Sequence, residues 1–198
     1  NSGVLHSGIY YKPGSLKARV CVQGSRQLRA WVEERDLPIN VCGKVIVPQR
    51  SDQDPQLDVL ADRANANGAE VEIWDQKQLR DFVPEAYSAS GRALWSPNTS
   101  VVKPISVLRR LQTELNEQGV SFLQCNSKWT VHPQRKEIYL SNGDSLLYGH
   151  LFNCAGLHAD RVAHKFDVAH DYSLLPFKGL YWQLKPGCPI QPRTNLYP

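Results

Sequence analysis

The segment FNCAGLHADRVA, residues 152–163, is the strongest indication of the fold in this chain. The apolar stretch HLFNCAG runs directly into Gly156, and helix-forming residues follow from about Ala159 to Phe166. A glycine after a buried strand lets the backbone approach a bound pyrophosphate, and the free N–H groups of a following helix favour negative charge. The same pattern also fits an ordinary strand-to-helix turn that needs a glycine only for its shape.

The residues before this segment predict a β-meander. Short alternating strands separated by turn residues are expected at 128–132, 137–140 and 145–148. A strand at 120–125 follows a helix at 104–118 directly, as in a βαβ unit. In a doubly wound sheet, a strand that returns after a meander presents its carboxyl end at the ligand crevice. Residues 153–156 are therefore a candidate phosphate-facing edge.

The first half of the chain predicts alternating helices and strands. Helical periodicity and helix-start residues favour helices at 14–36, 55–67 and 76–82, and strands are expected at 41–47, 71–74 and 93–96. An extended aromatic stretch is expected at 174–184. The expected fold class is therefore mixed α/β (α+β).

Composition excludes several function classes. The hydrophobic fraction of 41% and the charged fraction of 21% are typical of a soluble globular protein. The net charge of +4 is spread among acidic residues, so nucleic-acid binding is not expected. The five cysteines have no metal-ligand spacing, which favours a reducing compartment over a disulfide framework or a metal site. No apolar run approaches the length of a membrane span.

Two isolated residues are candidates for chemistry. His6 lies between Gly3 and Gly8, where small neighbours allow a planar ligand to approach, and an imidazole there can act as a base or as a structural hydrogen-bonding group. Lys178 is a cation in an otherwise apolar run, so it either has a buried partner or reaches solvent. The chain contains no GxGxxG or GxxxxGK[ST] motif.

Several segments in order resemble the L-2-hydroxyglutarate dehydrogenase/oxidase family, which belongs to the FAD-dependent D-amino-acid-oxidase-like oxidoreductases. These segments are NSGVLHSGIYYKPGSLKARVCVQG, CGKVIV, ALWSPNTSVV, NCAGLHADRVA, LLPFKGLYWQLKPG and NLYP. The resemblance covers essentially the whole chain, and its opening stretch is the most specific part. It implies part of an FAD/NAD(P)-binding Rossmann-like domain with a β-meander, together with part of a mixed-sheet substrate domain.

The resemblance implies oxidation of L-2-hydroxyglutarate to 2-oxoglutarate by hydride transfer to FAD, with quinone or oxygen as electron acceptor. It makes His6 the catalytic base and puts Lys178 near the flavin or the substrate carboxylate. The implied cofactor-binding residues are Asn1, Ser2, Gly3, Lys128, Ala155 and Gly156. It implies a cytoplasmic protein, or a mitochondrial one in a eukaryote, with peripheral membrane association left open.

The resemblance also implies how the chain is organised. The expected segments are an FAD-domain segment at 1–39, a substrate-domain segment at 40–104, an FAD-domain segment with the meander and NCAG turn at 105–173, and the start of a second substrate-domain segment at 174–198. Residues 99–103, TSVVK, depart from the usual TGIVD by replacing a glycine and an acid at the local turn.

The chain is expected to be an internal fragment, because the family has its glycine-rich phosphate loop and ribose-binding acid upstream of the region matched here. The 198 residues alone are therefore expected to bind FAD poorly and to be inactive. Two alternatives stay open. One is a related oxidoreductase acting on glycerol 3-phosphate or an amino acid, and the other is a non-catalytic truncated remnant.

Overall fold

The computed structural model describes residues 2–124, 128–179, 185–190 and 192–198. Contacts between Cα atoms divide the chain into two compact units. The first unit consists of residues 1–120 and 187–198, and the second consists of residues 121–186.

The described part of the first unit contains four α-helices: α1, Leu16–Glu33; α2, Pro55–Ala66; α3, Gln76–Phe82; and α4, Pro104–Glu117. Each lies within a few residues of its predicted position, so these predictions are confirmed. Helix α1 begins two residues later than expected because the Ser15 hydroxyl caps it, accepting a hydrogen bond of 3.2 Å from the N–H of Ala18. Helices α2 and α4 begin with proline, whose missing N–H is not needed in a first turn.

Among the residues of this unit that the structure describes, seven strands form two sheets: β1, Val4–Leu5; β2, Ile39–Asn40; β3, Lys44–Ile46; β4, Glu72–Asp75; β5, Arg92–Ser96; β6, Ser100–Val102; and β10, Asn195–Tyr197. The larger sheet has the order β10-β3-β5-β4, with β10 parallel to β3 and the other pairs antiparallel. The smaller antiparallel sheet has the order β1-β6-β2. Ser100, which replaces the usual glycine of TGIVD, lies in β6 as an ordinary strand residue.

The mixed sheet has a hydrophobic cluster on each face. Successive residues of a strand point to opposite faces, and the neighbours Val45 and Ile46 belong to different clusters. The cluster of Ile46 contains Leu57, Leu60 and Ala64 of α2. The cluster of Val45 contains Leu79 of α3 and the residues that follow it. The sheet is therefore covered by α2 on one face and by α3 on the other.

The strand predicted at 41–47 is shorter in the structure, because only Lys44–Ile46 is in strand conformation. Gly43 has a φ of +68°, in the left-handed region, which interrupts the extended backbone. A Cβ atom at Gly43 would overlap the indole ring of Trp95. The glycine therefore serves both the turn and the close packing of Trp95.

The second unit contains the predicted meander. Its strands are β7, Trp129–His132; β8, Glu137–Leu140; and β9, Ser145–Leu147. They form an antiparallel sheet in sequence order, so the meander prediction is confirmed. Helix α5, Ala159–Lys165, follows the meander.

The two strands expected to flank the meander are absent, and these predictions are wrong. Residues 120–124 and 150–155 lie outside any strand. A strand is stabilised by backbone hydrogen bonds to a neighbour, and within the described residues no strand pairs with either segment. Their apolar side chains are correspondingly uncovered, and Phe152 is 85% exposed. Residues 174–179 are likewise irregular, and 180–184, the rest of the expected aromatic stretch, lie outside the described residues.

The packing at Gly43 generates a stability prediction. Gly43→Ala adds both left-handed strain and overlap with Trp95, so we expect the free energy of unfolding to fall by about 2–4 kcal/mol. Gly91→Ala is a matched control, because Gly91 also has a positive φ but has no atom within 4 Å of its Cβ position. We expect it to cost about 1 kcal/mol. Urea unfolding followed by circular dichroism measures both, and equal losses would contradict the packing argument.

Candidate functional site

The loop that carries His6 is pressed tightly against the rest of the first unit. Gly3 and Gly8 have φ values of +73° and +92°, which favour glycine. A Cβ at Gly3 would lie 2.6 Å from the carbonyl oxygen of Val102, and one at Gly8 would lie 2.6 Å from Cγ2 of Val22 on α1. These glycines are thus required by the packing of the chain itself, whatever else approaches them.

Three buried hydroxyl groups fix the same loop to the strands. The Ser7 Oγ lies 2.8 Å from the Oγ of Ser96 and 3.4 Å from Oγ1 of Thr99. Ser96 and Thr99 are themselves 3.3 Å apart, so the three hydroxyls form a closed triangle. Because all three residues are buried, each hydroxyl needs these partners. The residue next to His6 therefore has a defined position.

His6 itself is half-buried, and its imidazole has an unusual environment. The Nδ1 atom is enclosed and has no hydrogen-bond partner among the described residues. Burial lowers the pKa of His6 from 6.5, and the positive charge of Lys44 lowers that pKa further. The backbone carbonyl of His6 accepts a hydrogen bond of 3.3 Å from the Cys21 thiol on α1. The arrangement favours a neutral imidazole, the form that can accept a proton.

Lys44, in the middle of β3, is a buried cation that sequence reasoning missed. It is 1% exposed, and burial lowers its pKa to about 8. Its Nζ donates a long hydrogen bond of 3.4 Å to the Tyr10 hydroxyl. The same atom lies 4.4 Å from the ring centroid of Tyr10 and 5.1 Å from that of Tyr197. A lysine within an apolar run is the pattern that made Lys178 a candidate. The motif CGKVIV shows the same pattern at Lys44.

The NCAG turn of the second unit is organised by Asn153. Its Oδ1 accepts a hydrogen bond of 3.2 Å from the N–H of Ala155, and its Nδ2 donates one of 2.8 Å to the carbonyl of Ala159. Gly156 follows with a φ of +55° and has no atom within 4 Å of its Cβ position. Ala155 and Gly156 are both exposed, so a ligand has room to approach the backbone of this turn.

The helix predicted from about Ala159 to Phe166 is confirmed as α5, Ala159–Lys165, and residues 156–158 form a single 3-10 turn before it. Helix α5 is seven residues long. The expectation that a following helix directs its N–H groups and dipole at a phosphate therefore receives no support from α5, because so short a helix has a weak dipole. The feature of this turn that is still compatible with an approaching phosphate is the exposed backbone of Gly156.

The remaining predicted site residues have simpler surroundings. Ser2 is exposed, and its hydroxyl accepts a hydrogen bond of 3.3 Å from the N–H of Val4. Lys128 is exposed in the second unit, where its carbonyl accepts a hydrogen bond of 3.0 Å from the N–H of Ser141. Lys178 is exposed in the irregular segment 174–179, and Asn1 lies outside the described residues. The first unit thus holds Ser2, Gly3 and His6, and the second holds Lys128, Ala155, Gly156 and Lys178.

Comparison with known proteins identifies the family. The family described as FAD dependent oxidoreductase (DAO) matches residues 1–198. The chain belongs to this family. The expected family, its mixed α/β fold class and its cofactor, FAD, are thereby confirmed.

Several similar curated proteins are named L-2-hydroxyglutarate dehydrogenase. The chain is 35% identical over 207 residues to L-2-hydroxyglutarate dehydrogenase, mitochondrial, of Caenorhabditis briggsae, covering 100% of this chain and 47% of that protein. It is 34% identical over 202 residues to L-2-hydroxyglutarate dehydrogenase of Indibacter alkaliphilus, covering 100% of this chain and 50% of the other. The chain thus spans about half the length of the curated relatives it matches.

Solved structures of other proteins show the same fold at low sequence identity. Glycine oxidase from Geobacillus kaustophilus superposes with a TM-score of 0.73 at 14% identity, covering 85% of this chain and 47% of its own. L-α-glycerophosphate oxidase from Mycoplasma pneumoniae, with FAD bound, superposes with a TM-score of 0.66 at 19% identity, covering 83% of this chain and 45% of its own. These likenesses establish the fold.

The described residues are compatible with the family's cofactor at two places. At the NCAG turn, Gly156 combines a positive φ with open space, as a backbone approached by a large ligand requires. In the first unit, the enclosed Nδ1 of His6 has no partner among the described residues, and such orphaned polar atoms commonly mark functional positions. No group of three or more potential metal ligands occurs in the described parts of the chain.

The lowered pKa of His6 generates a prediction about stability. Between pH 6.5 and the lower pKa of the folded state, the unfolded chain binds a proton that the folded chain does not. We therefore expect the free energy of unfolding to decrease as the pH falls through 6.5 and to level off below the folded-state pKa. In His6→Gln, the part of this decrease in the free energy of unfolding that comes from protonation of His6 should be absent. Urea unfolding at pH 7.5, 6.5, 5.5 and 5.0 measures it, and parallel curves for the two proteins would refute the burial effect.

Proposed function

We propose that this protein oxidises L-2-hydroxyglutarate to 2-oxoglutarate, with His6 as the base that takes the hydroxyl proton. The substrate is suggested by relatives named L-2-hydroxyglutarate dehydrogenase, which are 30–35% identical to this chain. The observation that supports the role of His6 is its half-buried imidazole, whose lowered pKa favours the neutral form at pH 7.

The reaction needs one proton acceptor and one hydride acceptor. Bound FAD would supply the hydride acceptor for C2 of the substrate. His6 takes the hydroxyl proton at Nε2, since Nδ1 is enclosed by protein atoms. The C2–O bond then becomes the carbonyl of the 2-oxo acid. Because Ser7 is held by Ser96 and Thr99, the His6 imidazole extends from a backbone of defined position, as an oriented proton acceptor requires.

The other predicted site residues belong to the same proposal. Lys178 provides a cation for a substrate carboxylate or the flavin, and its exposed position leaves its ammonium free to approach an anion. Cofactor contacts are proposed for two groups of residues: Asn1, Ser2 and Gly3 in the first unit, and Lys128, Ala155 and Gly156 in the second. The domain segments 1–39, 40–104, 105–173 and 174–198 are retained as a proposal as well.

The electron acceptor and the compartment are proposed from the family resemblance. The acceptor is a quinone or oxygen, and the compartment is the cytoplasm, or the mitochondrion if the source is eukaryotic. Several relatives, including those of Caenorhabditis briggsae and Homo sapiens, have names that include the word mitochondrial. In the described parts of the chain, no helix is both long and apolar enough to cross a membrane. Membrane association, if it occurs, is proposed to be peripheral.

Substrate turnover by the protein expressed from its complete gene tests this proposal. With FAD and a redox dye, we expect L-2-hydroxyglutarate to be oxidised faster than its D enantiomer, glycerol 3-phosphate or glycine. We expect His6→Gln to lower kcat about 10²- to 10⁴-fold while the bound-flavin spectrum is retained, because only the proton acceptor is lost. His150→Gln is the control, since His150 is an exposed histidine of the second unit, and it should leave kcat unchanged.

Different results would reject different parts of the proposal. Faster turnover of glycerol 3-phosphate or glycine would reject L-2-hydroxyglutarate as the preferred substrate. It would favour the substrate of one of the structural neighbours instead. Full activity of His6→Gln would remove His6 from the role of base. Absence of bound flavin in the purified wild-type protein would favour a non-catalytic remnant.

A further inference from the structure

Lys44 is a buried cation without a carboxylate partner. It is 1% exposed and lies in β3, paired with Asn195 of β10 on one side and with Ser96 of β5 on the other. No ion pair to Lys44 occurs among the described residues, and the sequence outside those ranges contains no aspartate or glutamate. Burying a charge without a counter-ion is unfavourable, and an apolar side chain of similar shape would avoid that cost. A ligand anion is the counter-ion that would justify this lysine.

Two tyrosines hold the Lys44 ammonium in place. Its Nζ donates a hydrogen bond of 3.4 Å to the Tyr10 hydroxyl, and it lies 4.4 Å from the ring centroid of Tyr10 and 5.1 Å from that of Tyr197 in β10. Ring faces attract a cation without neutralising it. Burial raises the pKa of Tyr10 to about 12, so its phenol stays uncharged near neutral pH. The positive charge of Lys44 is therefore fixed in position and left uncompensated.

Tyr10 is the part of this cluster that a ligand can reach. Tyr10 is 38% exposed, whereas Lys44 is enclosed. The Tyr10 oxygen accepts from the ammonium, and in the described part of the chain no acceptor is bonded to its own O–H group. Hydrogen bonds in a chain polarise one another, so a phenol whose oxygen accepts from a cation is a stronger donor. An anion that meets Tyr10 therefore gains a hydrogen bond from the hydroxyl and attraction from Lys44 behind it.

His6 and Tyr10 belong to one anchored loop and lie four positions apart. Between them, the Ser7 hydroxyl is bonded to two other buried hydroxyls, and Ile9 is 1% exposed. The imidazole and the phenol therefore extend from backbone of defined position and can hold two ends of one ligand. In L-2-hydroxyglutarate the C1 carboxylate is bonded to the carbon that carries the hydroxyl, whereas the C5 carboxylate lies three carbons farther along the chain. The C5 carboxylate is thus the group suited to a second contact point.

We propose that the Tyr10 hydroxyl and the Lys44 ammonium bind the C5 carboxylate of L-2-hydroxyglutarate, with Tyr10 as the direct donor and Lys44 as the opposite charge behind it. This inference rests on the proposed function, because it takes its ligand from that reaction. It assigns to the pair the selection of a dicarboxylic over a monocarboxylic 2-hydroxy acid. A 2-hydroxy acid with an apolar end would leave the buried charge without a counter-ion, and a site with such an unpaired group discriminates strongly against the wrong ligand.

Ligand binding to the FAD-loaded protein from the complete gene tests the inference. Glutarate carries both carboxylates of the substrate, and pentanoate has a methyl group in place of one of them. With isothermal titration calorimetry at pH 7, we expect Lys44→Met and Tyr10→Phe each to raise the Kd of glutarate about 10- to 100-fold, because a charge-assisted interaction is lost. The Kd of pentanoate should change less than about 3-fold, since it lacks the second carboxylate. Lys17→Met and Tyr87→Phe are matched controls at exposed residues and should leave both values unchanged.

Turnover separates a failure of this inference from a failure of the proposed function. In both variants, kcat/KM for L-2-hydroxyglutarate should fall relative to that for L-2-hydroxypentanoate by the same factor as glutarate binding. An unchanged Kd of glutarate, or an equal loss of glutarate and pentanoate binding, would overturn the inference while leaving the reaction intact. Absence of L-2-hydroxyglutarate turnover by the wild-type protein would reject the proposed function instead, and a selective loss of glutarate binding would still establish a carboxylate site at Tyr10 and Lys44.

The wild-type protein provides a test that remains available if Lys44→Met fails to fold. The groups facing the Lys44 ammonium are Tyr10 and Tyr197, and the Cys21 thiol of α1 acts on it electrostatically. Burial lowers the pKa of Lys44 to about 8 and raises the pKa of both Tyr10 and Cys21, so Lys44 loses its charge first as the pH rises. Between pH 7 and pH 9 we therefore expect the Kd of glutarate to rise about tenfold relative to that of pentanoate. A constant ratio of the two Kd values over this range would contradict the proposed site.

Discussion

The burial of Ile9 in the core of the mixed sheet is the constraint on which the candidate site depends. Ile9 is 1% exposed and packs in the cluster that contains Ile46, Leu57 and Leu94. The Asn67 side chain, just after α2, holds the same loop by donating hydrogen bonds of 3.0 Å to the carbonyl of Gly8 and 2.9 Å to that of Tyr11. A loop anchored in this way has little freedom, so the residues on either side of Ile9 inherit fixed positions.

Two residues close to Ile9 in the sequence have side chains that belong to the candidate site. Three positions before Ile9 lies His6, and directly after it lies Tyr10, whose ring and hydroxyl hold Lys44. The same hydrophobic anchor therefore positions His6, the proposed base, and the tyrosine that contacts the Lys44 ammonium. Lys44 is fixed independently by its strand, since β3 is paired on both sides. A rigid support for the reacting groups is what precise proton transfer requires.

Sequence patterns predicted the helices well, but they predicted poorly the strands whose pairing partners lie far away in the sequence. The helices were evident because their apolar periodicity and their caps, such as Ser15, lie within a few residues of each other. The strands expected at 120–125 and 150–155 were wrong because a strand depends on partners far away in the sequence, which an apolar run does not specify. The two-residue strand Val4–Leu5 was missed for the same reason, since its partner is β6, almost a hundred residues later.

The candidate site was predicted in part. His6 was found because its glycine neighbours are visible in the sequence, although the structure gives those glycines a packing role. The burial of Lys44 could not be predicted, because it results from the pairing of β3 with β5 and β10 and from the approach of Tyr10 and Tyr197. Three of these partners lie about fifty to one hundred and fifty residues away in sequence.

The central claim is that the core-anchored loop presents the His6 imidazole to the hydroxyl of a 2-hydroxy acid. A crystal structure of the protein from its complete gene, with FAD and L-2-hydroxyglutarate bound under anaerobic conditions after reduction of the flavin, tests this claim most directly. The account predicts Nε2 of His6 within about 3.2 Å of the substrate C2 oxygen, directly or through one water molecule. A substrate C2 oxygen that contacts a different proton acceptor, with His6 out of reach, would contradict it.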